Sequence, residues 1–265
     1  DVAIQGSPDP LTVENTRAGW RRLAKVLAAA GVGRVGIEAT GGYEQGVVAA
    51  LRAAGFTVLL FQPLQVKAYA RLHLRRAKND RLDARLIAAC AAALEAPPIA
   101  PDPRLPAFAE ALTFIEQGEE DIARLKTRLE HQHDPRLRRL AEADIKRLQT
   151  RRAAELRRLR AAIARHDDLA RRLDLILSVP GIGERTALAI LIRLPEIGQI
   201  TREQAAALAG LAPFDDDTGQ HQGQRHIAGG RARLRRSLYA AALPAAFRWN
   251  PNLQSLYPRL LARGK

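Results

Sequence analysis

Three acids in the first hundred residues have the types and spacing for metal-assisted chemistry. Glu38 closes the apolar run Arg34-Val35-Gly36-Ile37-Glu38 and precedes Ala39-Thr40-Gly41-Gly42. A carboxylate at a strand tip, opening onto a glycine turn, is placed to hold a cation, although an ordinary exposed strand-end acid fits the same pattern. Asp80 and Asp83 stand in Arg76-Ala77-Lys78-Asn79-Asp80-Arg81-Leu82-Asp83-Ala84-Arg85. At i and i+3 on a helix their Cβ atoms lie about 5–6 Å apart on one face. Capping, with Asp80 as cap and Asp83 in the first turn, would account for one of the two. It leaves a matching strand-end Glu38 unexplained. Three such carboxylates can hold two Mg²⁺ ions about 3.5–4 Å apart, activating a nucleophile and stabilising a leaving oxygen in phosphoryl transfer. Arg75, Arg76, Lys78 and Arg81 would then stand where phosphates approach.

The second half of the chain carries two more constellations. Val179-Pro180-Gly181-Ile182-Gly183 separates two apolar helical runs. It reads as a helix-hairpin-helix turn, in which N–H groups around Gly181 and Gly183 grip a phosphate, or as a plain connector. Further on, Asp215-Asp216-Asp217-Thr218-Gly219 precedes Gly223-Gln224-Arg225-His226-Ile227-Ala228-Gly229-Gly230-Arg231. A hydroxyl beside three acids is either part of an acidic loop or an activated nucleophile. By chemistry alone the acidic loop is the better reading, because the carboxylates repel phosphate unless Arg or Mg²⁺ offsets them. His226 could act as a base for Thr218, but a DNA-contacting or core histidine fits it better. From Thr218 to Lys265 there are nine Arg or Lys and no Asp or Glu. That asymmetry calls for an anionic partner, with Arg225, Arg231, Arg233, Arg235 and Arg236 as the expected contacts.

The elements that must position these residues follow from periodicity. Val2-Ala3-Ile4 and Leu11-Thr12-Val13 flank a Gly/Pro turn and predict a hairpin-like pair. A helix over Trp20–Ala30, strands over 34–38 and 57–61, and a helix from about Glu44 to Ala54 complete an α/β pattern with an antiparallel start. A Pro-rich stretch, 97–103, reads as a linker. From about Leu105 to Leu177 the apolar residues recur at helical spacing, with His133-Asp134-Pro135 as the turn between two antiparallel arms. Arginine is over-used in those arms, as a solvated face or as one lying against nucleic acid. Their apolar stripes predict pairing between chains.

Composition agrees with a nucleic-acid protein. Lys and Arg outnumber Asp and Glu by 42 to 28, a net charge of +14, and each phosphate neutralised by such a surface releases a counterion. Ribosomal and membrane-surface proteins share this charge, so alone it only narrows the class. No apolar run approaches the roughly 20 residues that span a bilayer, and no secretory signal is recognisable. The single cysteine, Cys90, lies in an Ala-rich run as a small buried hydrophobe and suits a reducing cytoplasm. The sequence has no Met and opens on Asp-Val-Ala-Ile, which reads as a fragment whose first residues are absent.

In series, Glu38-Ala39-Thr40-Gly41-Gly42-Tyr43, Ala77-Lys78-Asn79-Asp80-Arg81-Leu82-Asp83-Ala84, Val179-Pro180-Gly181-Ile182-Gly183 and Gly229-Gly230-Arg231 resemble the insertion-sequence one-ten family of bacterial DEDD transposases, the bridge-RNA-guided recombinases. The triplet Asp215-Asp216-Asp217 resembles the branch of that family with the same run of acids before its catalytic residue. The resemblance covers essentially the whole chain. It implies α/β plus α architecture: an RNase H-like (RuvC-like) domain over 1–100 lacking its first strand, a coiled-coil segment over 101–175, and a mainly helical transposase domain over 176–265 carrying the nucleophile loop.

The resemblance further implies a Mg²⁺ site at Glu38, Asp80 and Asp83, a nucleophile at position 218, DNA and a structured guide RNA as partners, and a dimer-to-tetramer assembly. The first acid of the tetrad has no counterpart, since Asp1 matches a later Asp-Val pair. The family has serine where Thr218 stands. Threonine keeps the hydroxyl but adds a methyl that crowds an in-line attack, and a natural variant, a weakened nucleophile and an engineered substitution all fit. A junction-resolving nuclease without a covalent step and a non-catalytic basic nucleic-acid binder are the competing functions.

Overall fold

The computed structural model describes residues 1–7, 11–73, 80–94, 102–215 and 223–264, with Asp80 and Arg81 described by backbone alone. The chain is mostly helical with a small sheet, and it divides into two compact units, Asp1–Ala100 and Pro101–Lys265. Among the described residues, no helix is long and apolar enough to cross a membrane.

In the first unit, α1 (Arg17–Ala29) starts where the Thr16 hydroxyl accepts the Gly19 N–H, and it ends before Gly31 at φ +66°. Strands β1 (Arg34–Glu38) and β2 (Thr57–Phe61) pair in parallel, from Arg34↔Thr57 to Glu38↔Phe61. Parallel neighbours need a crossover, and α2 (Gln45–Ala53) supplies it. Side chains alternate across the pleat. Val35, Ile37 and Val58 join Leu23, Leu27, Val48 and Leu51 of α1 and α2 in one cluster. Leu59 and Phe61 join Val66 of α3 (Pro63–Leu72) and Leu86, Cys90 and Ala91 of α4 (Asp80–Ala93) in another. The result is a thin sheet between two helical layers. The expected hairpin near the start is reduced to a single antiparallel bridge, Val2↔Leu11. Cys90 is fully buried, and burial pushes its thiol pKa up.

The second unit begins with α5 (Leu105–Glu130) and α6 (Pro135–Ala164). Asp134 caps α6 by accepting the Arg136 and Leu137 N–H groups, and Pro135 fills the first helical position, where a missing N–H costs nothing. Arg138 donates to the Leu129 and Gln132 carbonyls and so closes the open end of α5. The helical run breaks at His166, where the sequence reading had none. There α7 (Asp167–Leu177) starts with Asp167 and Asp168 in its first turn.

Leu112 and Ile115 of α5, Leu159 and Ile163 of α6, Leu169 and Leu173 of α7, and Leu188 and Leu191 of α8 (Glu184–Arg193) form one core. Much of the apolar stripe is therefore covered within the chain, while Phe114, Leu137 and Leu140 stay exposed. A smaller cluster joins Ile190 and Leu194 to Ala209 of α9 (Arg202–Ala209) and Leu234 of α10 (Ala232–Pro244). Strands β3 (Pro213–Phe214) and β4 (His226–Ile227) form a short antiparallel pair. A π-turn over Ala245–Trp249 then leads to α11 (Pro251–Leu261).

A buried ion cluster ties three helices together. Glu116 of α5 is 8% exposed and accepts both terminal nitrogens of Arg193, at 2.5 and 2.8 Å, and Arg233 of α10 at 3.0 Å. Removing one partner of a buried pair strands the other charge, at about 3–5 kcal/mol. Glu116→Ala is expected to lower the unfolding free energy by about that much in urea titrations. Glu203→Ala, at the exposed Arg202–Glu203 pair, should change it by less than about 1 kcal/mol. Equal losses in the two variants would refute a special role for the cluster.

Candidate functional site

The site in the first unit depends on how closely α4 lies on β1. A Cβ added to Gly36 would come within 2.8 Å of the Ala91 Cβ and of the Phe61 ring, and within 3.1 Å of Ile87. Only a residue without a side chain admits α4 there. The far end of the helix is pinned to the strand's start, because the Arg34 guanidinium donates to the Ala91 and Leu94 carbonyls at 3.2 and 2.9 Å. The helix therefore runs back along the strand. From Arg34 to Glu38 the strand advances about 13 Å at ~3.3 Å per residue. From Ala91 back to Asp83 the helix covers about 12 Å at ~1.5 Å per residue. Glu38 shares the Gly36 face of the pleat, and Asp83 shares the Ile87–Ala91 face of the helix. Both are half-buried and line one cavity of about 720 Å³.

Other acids on that cavity have different partners. Glu44, which the sequence reading did not single out, accepts the Thr40 N–H at 3.0 Å, the Thr40 hydroxyl at 3.2 Å and the Gly42 N–H at 2.9 Å. Burial pushes its pKa up, but these hydrogen bonds outweigh it and the net shift is downward. Glu44 thus holds the turn at Gly41 (φ +71°) and Gly42 (φ +107°) that follows Glu38. Asp1 accepts the Thr12 hydroxyl at 2.6 Å. The signal for Glu44 was its place four residues after a Thr-Gly-Gly turn start, a position from which a carboxylate folds back onto free N–H groups.

Asp80 is the first residue of α4 and sits one helical turn from Asp83, near backbone N–H groups that favour carboxylates. Its side chain, that of Arg81, and all of Arg75, Arg76 and Lys78 lie outside what is described. Among the described residues, no group of three or more His, Cys, Asp or Glu side chains is close enough to hold a metal ion. Glu38 and Asp83 still suit a hard divalent cation: both give oxygen donors on an open cavity, and Mg²⁺ commonly takes one or two carboxylates and completes its shell with substrate phosphate and water.

In the second unit Asp216, Asp217 and Thr218 lie outside the described residues. The loop that carries them leaves β3 and returns at β4, with Asp215 and Arg225 joined at 2.6 Å across its base. His226 is exposed on β4. The α10 arginines expected to face DNA are engaged within the chain. Arg231 forks onto Glu196 at 2.6 and 2.7 Å, lowering the pKa of that carboxyl chiefly through these hydrogen bonds. Arg233 reaches Glu116, and Arg236 reaches Glu120 at 2.7 Å. Arg235 caps the Gly210 and Gly229 carbonyls.

The glycine turn at 180–183 joins α7 to α8. Gly181 (φ +92°) lies where an added Cβ would come within 2.5 Å of the Ala245 Cβ, and Gly183 is the N-cap of α8. Glu184, at the start of α8, pairs with Arg160 at 3.0 Å.

Comparison with known proteins accounts for both units. Residues 8–135 match a transposase family of the DEDD, IS110 type, and residues 173–258 match the transposase IS116/IS110/IS902 family. No curated protein matches the chain. The two matches fall in order and cover most of the sequence, so the chain belongs to the IS110 family of transposases.

The close approach at Gly36 is directly testable. Gly36→Val forces α4 away from β1, and overpacking of this kind costs about 1–3 kcal/mol. The expected result is a lowered melting temperature together with loss of strand cleavage, while Gly33→Ala, which meets open space, leaves both nearly unchanged. Full activity in Gly36→Val would disconnect the α4–β1 contact from the chemistry.

Proposed function

We propose that this transposase cuts and rejoins DNA strands of a mobile element through an RNase H-like (RuvC-like) carboxylate site and a hydroxyl nucleophile at position 218. The observation that carries the reading is the convergence of Glu38 and Asp83 on one cavity, brought about by α4 lying back along β1. Asp80, a helical turn before Asp83, completes the acidic set, and Mg²⁺ held there would supply charge stabilisation at a phosphate in transfer. Glu38 and Asp83 act by holding their oxygens fixed, Glu38 through the strand ladder and Asp83 through the packed helix.

In the strand-transfer step the Thr218 oxygen attacks a phosphodiester phosphorus. An O–P bond to the protein forms, the bond to one sugar oxygen breaks, and the hydroxyl proton ends on that leaving oxygen. A structured RNA selects the target, and chains assemble as a dimer or tetramer so that all strands are processed together. The residues involved lie far apart in the sequence, the acids at 38, 80 and 83 and the hydroxyl at 218.

Asp83→Ala and Asp80→Ala are expected to abolish excision and insertion while changing DNA affinity by no more than about two-fold. Undiminished recombination in either variant would remove the metal-site assignment. Thr218→Ser should increase a denaturation-resistant protein–DNA adduct, whereas a junction nuclease would give cleavage and no adduct in either protein. Mixing Asp80→Ala with Thr218→Ala chains should restore activity if a site is shared between subunits. No recovery at any ratio would mean that each chain completes its own.

A further inference from the structure

We propose that the outward face of α6 is a second DNA-binding surface, one that tracks the phosphate backbone of duplex DNA without reading its sequence. The helix has 30 residues, about 45 Å at ~1.5 Å each, and carries ten basic residues against three acidic ones. Their placement is not random. Arg136, Arg147, Arg151 and Arg158, with Arg165 at the helix end, recur at multiples of about 3.6 residues and so form one row, which Arg139 flanks. All are exposed.

Two other arginines of the helix are used differently. Arg152 and Arg160 point to neighbouring helices and meet Glu119 of α5 and Glu184 of α8. On the outward row, Arg147 and Arg158 have only carboxylates of their own helix, Asp144 and Glu155, and their side chains are 70% and 76% exposed. Such pairs are screened and readily exchanged for phosphate. Arg136, Arg151 and Arg165 have no carboxylate partner among the described residues. Like charges a turn apart, as at Arg147 and Arg151, destabilise a helix, and Asp144 and Glu155 offset only part of the row's charge.

The residues between the arginines indicate the partner. Ala143, Thr150, Ala154 and Ala161 occupy the intervening turns, so a phosphate backbone can approach the helix closely. From Arg147 to Arg165 the row has no large apolar residue, and Leu140 near its start is a single exposed one, whereas a seam with a second helix requires an apolar residue at every turn or so. The whole helix has no aromatic residue, whereas single-strand binding depends on stacking platforms. A continuous ridge of cations without aromatics or amides fits duplex phosphates contacted for position rather than sequence. The choice of DNA as the polyanion rests on the transposition reading; the surface itself does not.

The test is a full-length variant carrying R136Q, R139Q, R147Q, R151Q and R158Q, with R136E/R151E as a second variant that leaves every ion pair in place. Binding to an arbitrary 30-base-pair DNA duplex is followed by fluorescence anisotropy across a salt series, and circular dichroism confirms folding. Each phosphate contact contributes about 0.9 to the slope of log K against log salt, so the five-fold variant should show a slope shallower by about 4. R136E/R151E should weaken binding at least ten-fold with unchanged sedimentation mass. An unchanged slope overturns the proposal, as does a change in mass without a change in DNA affinity, which would make the face a contact between copies. Loss confined to an RNA duplex of the same sequence overturns the assignment to DNA. If DNA affinity falls but the wild-type chain neither cuts nor joins strands, the surface stands and the transposition reading fails.

Discussion

The side chain that Gly36 lacks sets the spacing on which the first unit depends. With α4 seated directly on β1, Ala91 and Ile87 fill the space above the strand, and the helix start has nowhere to lie except beside the strand's end. A methyl group at position 36 would lift the helix, and because the two elements run back along each other, the displacement would be felt at Asp83. Close packing transmits such shifts because interiors have little free volume to absorb them. Two residues far apart in sequence thus depend for their proximity on an absence of atoms between them, and the Arg34 bonds to the other end of the helix fix the register of that contact.

Charge is organised by the same economy of position in the second unit. The acids of α5 face inward to arginines of α8 and α10, so that Glu116, Glu119 and Glu120 each hold at least one of them. At Glu119 burial dominates and pushes the pKa up, although Arg185 and Arg152 pull against it. Of the arginines that the sequence marks as most DNA-like, those just before and within α10, Arg231 and Arg233 therefore brace the unit through half-buried ion pairs, whereas Arg236 stays exposed beside Glu120 and the helix that reads as a mere spacer also carries outward charge. Net charge alone could not make that distinction, since both groups contribute equally to it.

Much of the fold was legible because it follows from local pattern. Strands 34–38 and 57–61, the Asp134-Pro135 start of α6 and the buried Ile115, Ile122, Ile145, Leu159 and Ile163 all derive from periodicity and turn chemistry. The break at His166 was missed because apolar spacing continues across it. Of the site, Glu38 and Asp83 were recognisable by type and place, but their shared cavity depends on the sense of α4 along β1, which no local pattern encodes. The roles of Arg231, Arg233 and Arg236 were likewise hidden, because their partners Glu196, Glu116 and Glu120 lie 35 to 117 residues away in sequence.

On the proposed reading, the division of labour between the two units has a chemical logic. A metal-binding acid set beside a permanently positioned hydroxyl would be competent on any phosphodiester that diffused in. Here Glu38 and Asp83 are held by a strand and a packed helix of the first unit, whereas residue 218 stands in sequence between the paired strands β3 and β4 of the second. The Asp215–Arg225 pair at its base is exposed, at 64% and 62%, so phosphate can compete for Arg225 at little cost. On the same reading, the repulsion that Asp215, Asp216 and Asp217 exert on a lone phosphate is relieved only where cations accompany it.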